Sequence, residues 1–136
     1  MPTPRKPRVI CLCGCGRQVT RPTYKFFSNK CQQDYEYQKY INRWQAGLES
    51  GSSGIIGGVS NHIKRYLREK YGEKCPECGW SKRHPLTRTV PLEVDHINGD
   101  ASDNSEENLR LLCPNCHSLT PNYRALNRGS GRPNRR

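Results

Sequence analysis

Two Cys-Pro-x-Cys knuckles, Cys75-Pro-Glu-Cys78 and Cys113-Pro-Asn-Cys116, constrain this chain more than any other feature. Together they supply four thiolates at the spacing of a closed tetrahedral zinc site. Such a site is structural, because no coordination position is left for water or substrate. A redox Cys-x-x-Cys pair is the other use of the motif, and two pairs with the same internal proline argue against it. The interval between the knuckles is longer than a simple zinc ribbon needs, so the chain between them is a functional insert.

A staple of this kind is needed. The chain has 136 residues, of which 32% are hydrophobic, and its mean hydropathy is −0.96. A chain so short and polar buries little core unaided. Of its 8 cysteines, the remaining four are Cys11, Cys13, Cys15 and Cys31. Disulfides are the alternative use of an even cysteine count. The tight grouping argues for metal, and the N-terminus MPTPRKPRVI lacks the apolar core of a secretory signal. A second zinc is therefore expected at Cys11, Cys13, Cys15 and Cys31. Three ligands at every second position require a tightly turned loop, which Gly14 and Gly16 permit. The alternative is that one of these four is an ordinary buried or free cysteine.

The formal charge is +11 and the pI about 9.5, which implies an anionic partner, of which nucleic acid is the usual one. No apolar run approaches the roughly 20 residues that span a bilayer, so no membrane partner and a cytoplasmic location are expected. The charge is unevenly spread. Arg5, Lys6 and Arg8 make the start basic, and Arg124, Arg128, Arg132, Arg135 and Arg136 the end. Between Glu93 and Glu107 there are six acidic residues, Glu93, Asp95, Asp100, Asp103, Glu106 and Glu107, and no Lys or Arg. An acidic island in a basic protein suits a divalent cation, which can in turn hold phosphate.

Along the chain, residues 1–49 read as a basic arm, a cysteine-rich zinc motif and a helix from about Gln32 to Leu48, with Tyr35, Tyr37, Ile41, Trp44 and Leu48 on its apolar side. Residues 50–58 read as a flexible linker. A domain is expected over 59–128 and a basic tail over 129–136. The domain opens with a helix capped by Ser60 or Asn61, whose apolar stripe is Ile63, Tyr66, Leu67 and Tyr71. Lys64, Arg65 and Arg68 cover the rest of that helix and, with Arg124 and Arg128, are candidate DNA contacts. A strand is expected over Val90–Asp95, a polar loop over Gly99–Glu107 and a second strand over Leu109–Leu112. A last helix should start at Pro114 and run toward Leu126, with Pro121 interrupting it.

Phosphodiester cleavage needs a water, a base to take its proton, and positive charge on the phosphate. Asp95 and His117 can hold a divalent ion. His96 can be the base, since imidazole titrates near neutral pH. Asn108 can fix a loop or orient the imidazole, because an amide both donates and accepts. Asp95 and His96, as strand neighbours, should point to opposite faces. Cys116 and His117, as helix neighbours about 100° apart, can face zinc and the catalytic ion respectively. His62 and His84 lie outside this constellation and read as surface or DNA-contacting residues.

Asp95-His96, Glu107-Asn108-Leu109 and Cys113-Pro-Asn-Cys116-His117, together with Cys75 and Cys78, resemble the HNH endonuclease family over roughly residues 59–128. The resemblance implies a small zinc-stabilised α+β fold with a ββα-metal core, preceded by helices and a small N-terminal zinc motif. It implies a metal-dependent DNA endonuclease in which Asp95 and His117 bind the catalytic metal (Mg²⁺, Mn²⁺ or another divalent ion), His96 activates water and Asn108 positions the site. The surrounding text is similar to a subgroup found largely in phages and prophages. A monomer or homodimer acting on DNA in a bacterial host, alongside other phage proteins, is the expectation. The alternative is a non-catalytic zinc module that binds nucleic acid.

Overall fold

The computed structural model describes residues 1–54 and 58–126. The chain divides into two compact units, Met1–Arg43 and Trp44 onward.

The first unit is a small cysteine-rich loop followed by a long helix. Ile10 and Gln18 form an antiparallel bridge, closed by Val19 N–H to Val9 O at 3.0 Å and Cys11 N–H to Arg17 O at 2.8 Å. The turn passes through Gly14 (φ +85°) and Gly16 (φ +79°), a left-handed backbone that residues with a Cβ rarely adopt. Helix α1 is Asn29–Gln45. Tyr37 and Ile41, spaced by four, are buried with Cys11, Val19 and Cys31 in the first unit's core, and Trp44, three residues on and also buried, opens the second unit. The helix starts three residues before the expected Gln32 because Ser28 Oγ accepts the Cys31 N–H at 3.2 Å, satisfying a first-turn donor. Leu48 lies beyond the helix and is exposed.

The second unit is built on helix α2 (Asn61–Tyr71), strands β1 (Glu93–His96) and β2 (Leu109–Leu112), and the short helix α3 (Pro114–Ser118). Ser60 caps α2 by accepting the His62 N–H, and Gly72, at φ +79°, ends it. The amphipathic stripe turns Ile63 and Leu67 fully inward. They share the core with Val90, Leu92, Leu109, Leu111 and Leu112, and α2 packs against β2. Each such side chain contributes about 1.5–3 kcal/mol of transfer free energy, so this small core still leans on its staple. The strands pair antiparallel with Asp95 opposite Arg110 and His96 opposite Leu109.

Three further boundaries differ from expectation. The first strand begins at Glu93, because Pro91 has no N–H to give a ladder and the chain turns there, Leu92 N–H bonding Val90 O at 2.8 Å. The last helix stops at Ser118, and a separate turn of 3₁₀ helix, Arg124–Leu126, follows Pro121. The segment expected as a linker over 50–58 is packed where it is described. Gly51 is buried, its carbonyl accepts the Ser60 N–H at 2.8 Å, and Ser52 bridges Val59. The division into units falls earlier, after Arg43.

Candidate active site

The sulfur frame comes first. Sγ atoms of Cys75, Cys78, Cys113 and Cys116 all lie within 4.8 Å of one another, and Cys78 and Cys113 are 3.6 Å apart. A tetrahedron with Zn–S bonds of about 2.3 Å has edges of about 3.8 Å, so the cluster is the right size for zinc. Its protonation tells the same story. Burial pushes the Cys75 thiol up, but N–H groups of Cys113, Cys78 and Glu77 outweigh it and bring it down to about 6. Cys116, crowded by the sulfurs of Cys113 and Cys78, is pushed up to about 12. Four thiolates this close need a cation to coexist. Cys113 caps α3, its Sγ accepting the Cys116 N–H at 3.4 Å, with Pro114 opening the helix.

One residue beyond Cys116, the helix aims His117 at β1. His117 Nε2 lies 3.7 Å from Asp95 Oδ1, while its Nδ1 meets Glu93 Oε2 at 2.5 Å. Glu93 and Asp95, two apart on a strand, share a face. Asp95 is 5% exposed, and its second oxygen, Oδ2, accepts Arg110 Nε at 2.7 Å. Arg110 in turn reaches Glu77, inside the first knuckle, at 3.3 Å. Thus Oδ1 of Asp95 and Nε2 of His117 face one another, and the remaining atoms of both groups are held. Two ligands of one ion, at bonds of about 2.1 Å, sit about 3–3.5 Å apart. A mixed carboxylate and imidazole pair suits several divalent ions, and a carboxylate on the far nitrogen of a ligating histidine is the usual support.

His96 leaves the strand in the other direction. Its Nε2 is 2.7 Å from Asn104 Oδ1, and Asn104 is buried. The hydrogen bonds of Asn108 go to the loop that joins the strands. Its Oδ1 accepts the Asn98 N–H at 2.9 Å, and its Nδ2 donates to Asn98 Oδ1 at 2.9 Å and Asp103 O at 2.8 Å. Of the two roles the sequence allows it, the contacts are those of fixing the loop that joins the strands. Within that loop Asp100 and Asp103 accept from Ser102 and Ser105, side chain and backbone, which holds both carboxyls below their usual range.

The candidate DNA contacts are distributed unevenly. Lys64 is exposed on α2. Arg65 pairs with Glu69 at 2.8 Å, and Arg68 binds Val90 O at 3.1 Å and Glu73 at 3.4 Å. The Arg124 guanidinium stacks over Tyr123 at 5.0 Å, and the Tyr123 ring meets His117 edge-on at 5.3 Å. Arg128 lies outside the described residues. His62 sits on α2, and His84 Nδ1 accepts the Leu86 N–H at 3.2 Å, a turn contact. Sequence reasoning gave Glu93 no role beyond its place in the acidic island and passed over Arg110 and Asn104. Strand alternation could have found Glu93, and the strand register Arg110; nothing in the loop's composition marks Asn104.

In the first unit, Sγ atoms of Cys11, Cys13, Cys15 and Cys31 also lie within 4.8 Å of one another. The Cys11 sulfur pushes Cys13 up to about 12, and the backbone and side chain of Arg17 bring Cys15 down to about 6. This cluster too can hold a metal.

A sulfur frame that carries a carboxylate and two histidines on a ββα unit defines a class: residues 75–121 match the family model of the HNH endonuclease, and the chain carries an HNH endonuclease domain. Among individual proteins, it is 45% identical over 111 residues to the H-N-H endonuclease F-TflIV of Escherichia phage T5, an alignment covering 82% of this chain and 43% of the relative. It is 30% identical over 112 residues to the Zorya protein ZorE of Escherichia coli, covering 81% of this chain and 29% of the relative. The chain thus spans less than half the length of either. No solved structure matches it. Among the described residues no helix is long and apolar enough to cross a membrane.

Proposed function

We propose that the chain is a metal-dependent endonuclease that hydrolyses DNA phosphodiester bonds, with His96 as general base and one divalent ion held by Asp95 and His117. The observation that carries this reading is the facing pair: a buried Asp95 Oδ1 3.7 Å from His117 Nε2, each side chain held by another partner. The bound ion would supply positive charge at the phosphate and the leaving oxygen. His96 takes a proton from water, whose oxygen bonds to phosphorus as the bond to O3′ breaks. The 3′ oxygen takes up a proton, leaving 5′-phosphate and 3′-hydroxyl ends. Asn108 holds the strand-connecting loop around these groups. Cys75, Cys78, Cys113 and Cys116 hold a structural zinc that orients His117 from one residue away, and Cys11, Cys13, Cys15 and Cys31 hold a second. Lys64, Arg65, Arg68, Arg124 and Arg128 are the proposed DNA contacts. A monomer with one such site nicks; a double-strand cut takes a dimer or two events. The likeness to a phage T5 endonuclease supports action on DNA in a bacterial cytoplasm, alongside other phage proteins.

The test is supercoiled plasmid incubated with the protein and a panel of divalent ions. Relaxed circles should form only with an ion present, and His96→Ala should lose roughly 10²–10⁴ in rate while still binding DNA. A His96→Ala variant that cuts at the wild-type rate removes the base assignment. Binding without cleavage under every ion would leave a zinc-stabilised nucleic-acid-binding module instead.

A further inference from the structure

We infer that Asn104 is a positioning residue for His96, and that the chain from Trp44 to Ser52, upstream of the residues matched to the family model, is the support that holds it there. The inference rests on the reading of His96 as the base. Asn104 is 3% exposed, and its carboxamide has one orientation that satisfies its neighbours. Nδ2 lies 3.4 Å from Ser50 O and 3.4 Å from Ser52 Oγ. A backbone carbonyl only accepts, so the amide NH₂ must face it. Oδ1 therefore faces the imidazole, at 2.7 Å from Nε2. An oxygen there accepts and cannot donate, so Nε2 must carry the hydrogen. The opposite tautomer would bring two lone pairs together in a buried place. With the hydrogen on Nε2, the lone pair that can take a proton from water is on Nδ1. The imidazolium formed by that proton keeps the same Nε2–H···Oδ1 bond, so Asn104 holds the ring before and after the transfer.

Asn104 is held in turn by its backbone. Its carbonyl accepts the Trp44 indole N–H at 2.8 Å, a buried bond. Its Cβ rests on the bare Cα of Gly51: a Cβ added at Gly51 would lie 2.7 Å from Asn104 Cβ and 2.8 Å from Ile63 Cδ1. Gly51 also has φ +78°, so an alanine there is strained and pushes on Asn104 at once. Trp44, Ser50, Gly51 and Ser52 thus act on His96 through one side chain.

The experiment uses the full zinc-loaded chain and reads both ¹⁵N NMR of the His96 ring and steady-state nicking. The wild type should show a single neutral tautomer with an exchange-protected hydrogen on Nε2. Asn104→Leu should lose that protection and average the tautomers. Its kcat should fall roughly 10- to 100-fold, the range for partners that orient a ligating imidazole, while KM for DNA stays put. Asn104→Asp keeps an acceptor toward Nε2 and should restore the tautomer and most of kcat. Gly51→Ala should shift the same ring signals without touching His96. If Asn104→Leu does not fold, the wild-type spectrum, Asn104→Asp and Gly51→Ala still decide. A hydrogen on Nδ1 in the wild type, or an Asn104→Leu enzyme with unchanged kcat beside an inactive His96→Ala, overturns the inference alone. Full activity of His96→Ala overturns the base reading on which it rests, and needs no Asn104 variant to be seen.

Discussion

The two units of this chain each bring four sulfurs within 4.8 Å, yet they differ in what stands beside the sulfurs. In the second unit, His117 follows Cys116 directly, and Glu77, inside the first knuckle, pairs with the Arg110 that holds Asp95. In the first unit, the neighbours are Ile10, Leu12, Gly14, Gly16, Lys30 and Gln32, and residues 1–43 contain no histidine. A sulfur cluster of itself fixes a turn of chain. It becomes part of an active site when the residue after a ligand is one that can bind or move a charge, and the frame then sets that residue's direction. The contrast predicts a scaffold dispensable for the chemical step in the first unit and a scaffold with chemistry in the second.

The largest effect should come from breaking each frame separately. Structural zinc is worth about 10–16 kcal/mol of apparent binding free energy, which counts as folding free energy where the site exists only in the folded chain. Cys116→Ser should abolish both the cooperative unfolding of the second unit and all cleavage. Cys13→Ser should also lose one zinc by metal analysis, but keep cleavage at saturating DNA and require more DNA to reach it. Trp44 and Trp80 are the chain's 2 tryptophans and both lie in the second unit, so tryptophan fluorescence follows that unit by itself. Loss of cleavage at saturating DNA in Cys13→Ser would break the contrast.

Next in size is the support of His117. Glu93→Ala frees the imidazole that Glu93 now holds. The divalent-ion concentration for half-maximal nicking should rise about 10- to 100-fold, with zinc content unchanged. An unmoved midpoint would mean that His117 does not ligate through Nε2.

Much of this was legible in the sequence, and the parts that were not share a physical reason. The knuckles, the alternation in β1 and the helical stripe of α2 are local patterns, written within a few residues. Asp95, His96 and His117 stand at positions the local pattern already singles out. Arg110 is different: its role follows from lying opposite Asp95 across the sheet, and register depends on a connection of a dozen residues whose path is not local. Asn104 is hidden for another reason. It sits among Asn, Asp, Ser and Gly, residue types that form turns wherever they occur, and what separates it from Asn98 is burial under Trp44 and Gly51. The segment around Gly51 reads as a linker for the same reason, since glycine that spares a clash and glycine that gives freedom look alike in one sequence.

A smaller effect concerns where salt-dependent DNA binding resides. In α2, Arg68 bonds Val90 O and Glu73, so Arg68→Ala should cost about 1–3 kcal/mol of second-unit stability besides lowering the salt slope by up to about 1. Lys64→Ala should spare stability and lower the slope of log K against log salt by about 1. Neutralising the exposed Arg5, Lys6 and Arg8 together should lower it by up to about 3. A larger change from Arg68 than from Lys64 would mean that its bonds to Val90 and Glu73 give way to phosphate, and no change from the arm would leave the DNA contacts to the second unit.

The smallest expected effect is acid sensitivity in the second unit. Tyr66, on α2, donates its hydroxyl to Glu106 at 2.8 Å, and Lys70 pairs with the same carboxylate at 3.3 Å. Burial pushes the Glu106 carboxyl up, but the Tyr66 and Lys70 bonds outweigh it and leave it below its usual value. A carboxyl lowered by folding stabilises fully above its unfolded pKa, about 4.3 for Glu, and that stabilisation is lost as pH falls through the lower folded value. Tm followed by tryptophan fluorescence should therefore decline as pH drops from about 5 to 3. Glu106→Gln keeps an acceptor for the Tyr66 hydroxyl but no longer carries a charge for Lys70. It should start from a slightly lower Tm at neutral pH and show a flatter acid limb. An acid limb as steep as the wild type's would assign that sensitivity to other groups of the second unit, first the Cys75, Cys78, Cys113 and Cys116 thiolates that release zinc as they take up protons, then the Asp100 and Asp103 turns.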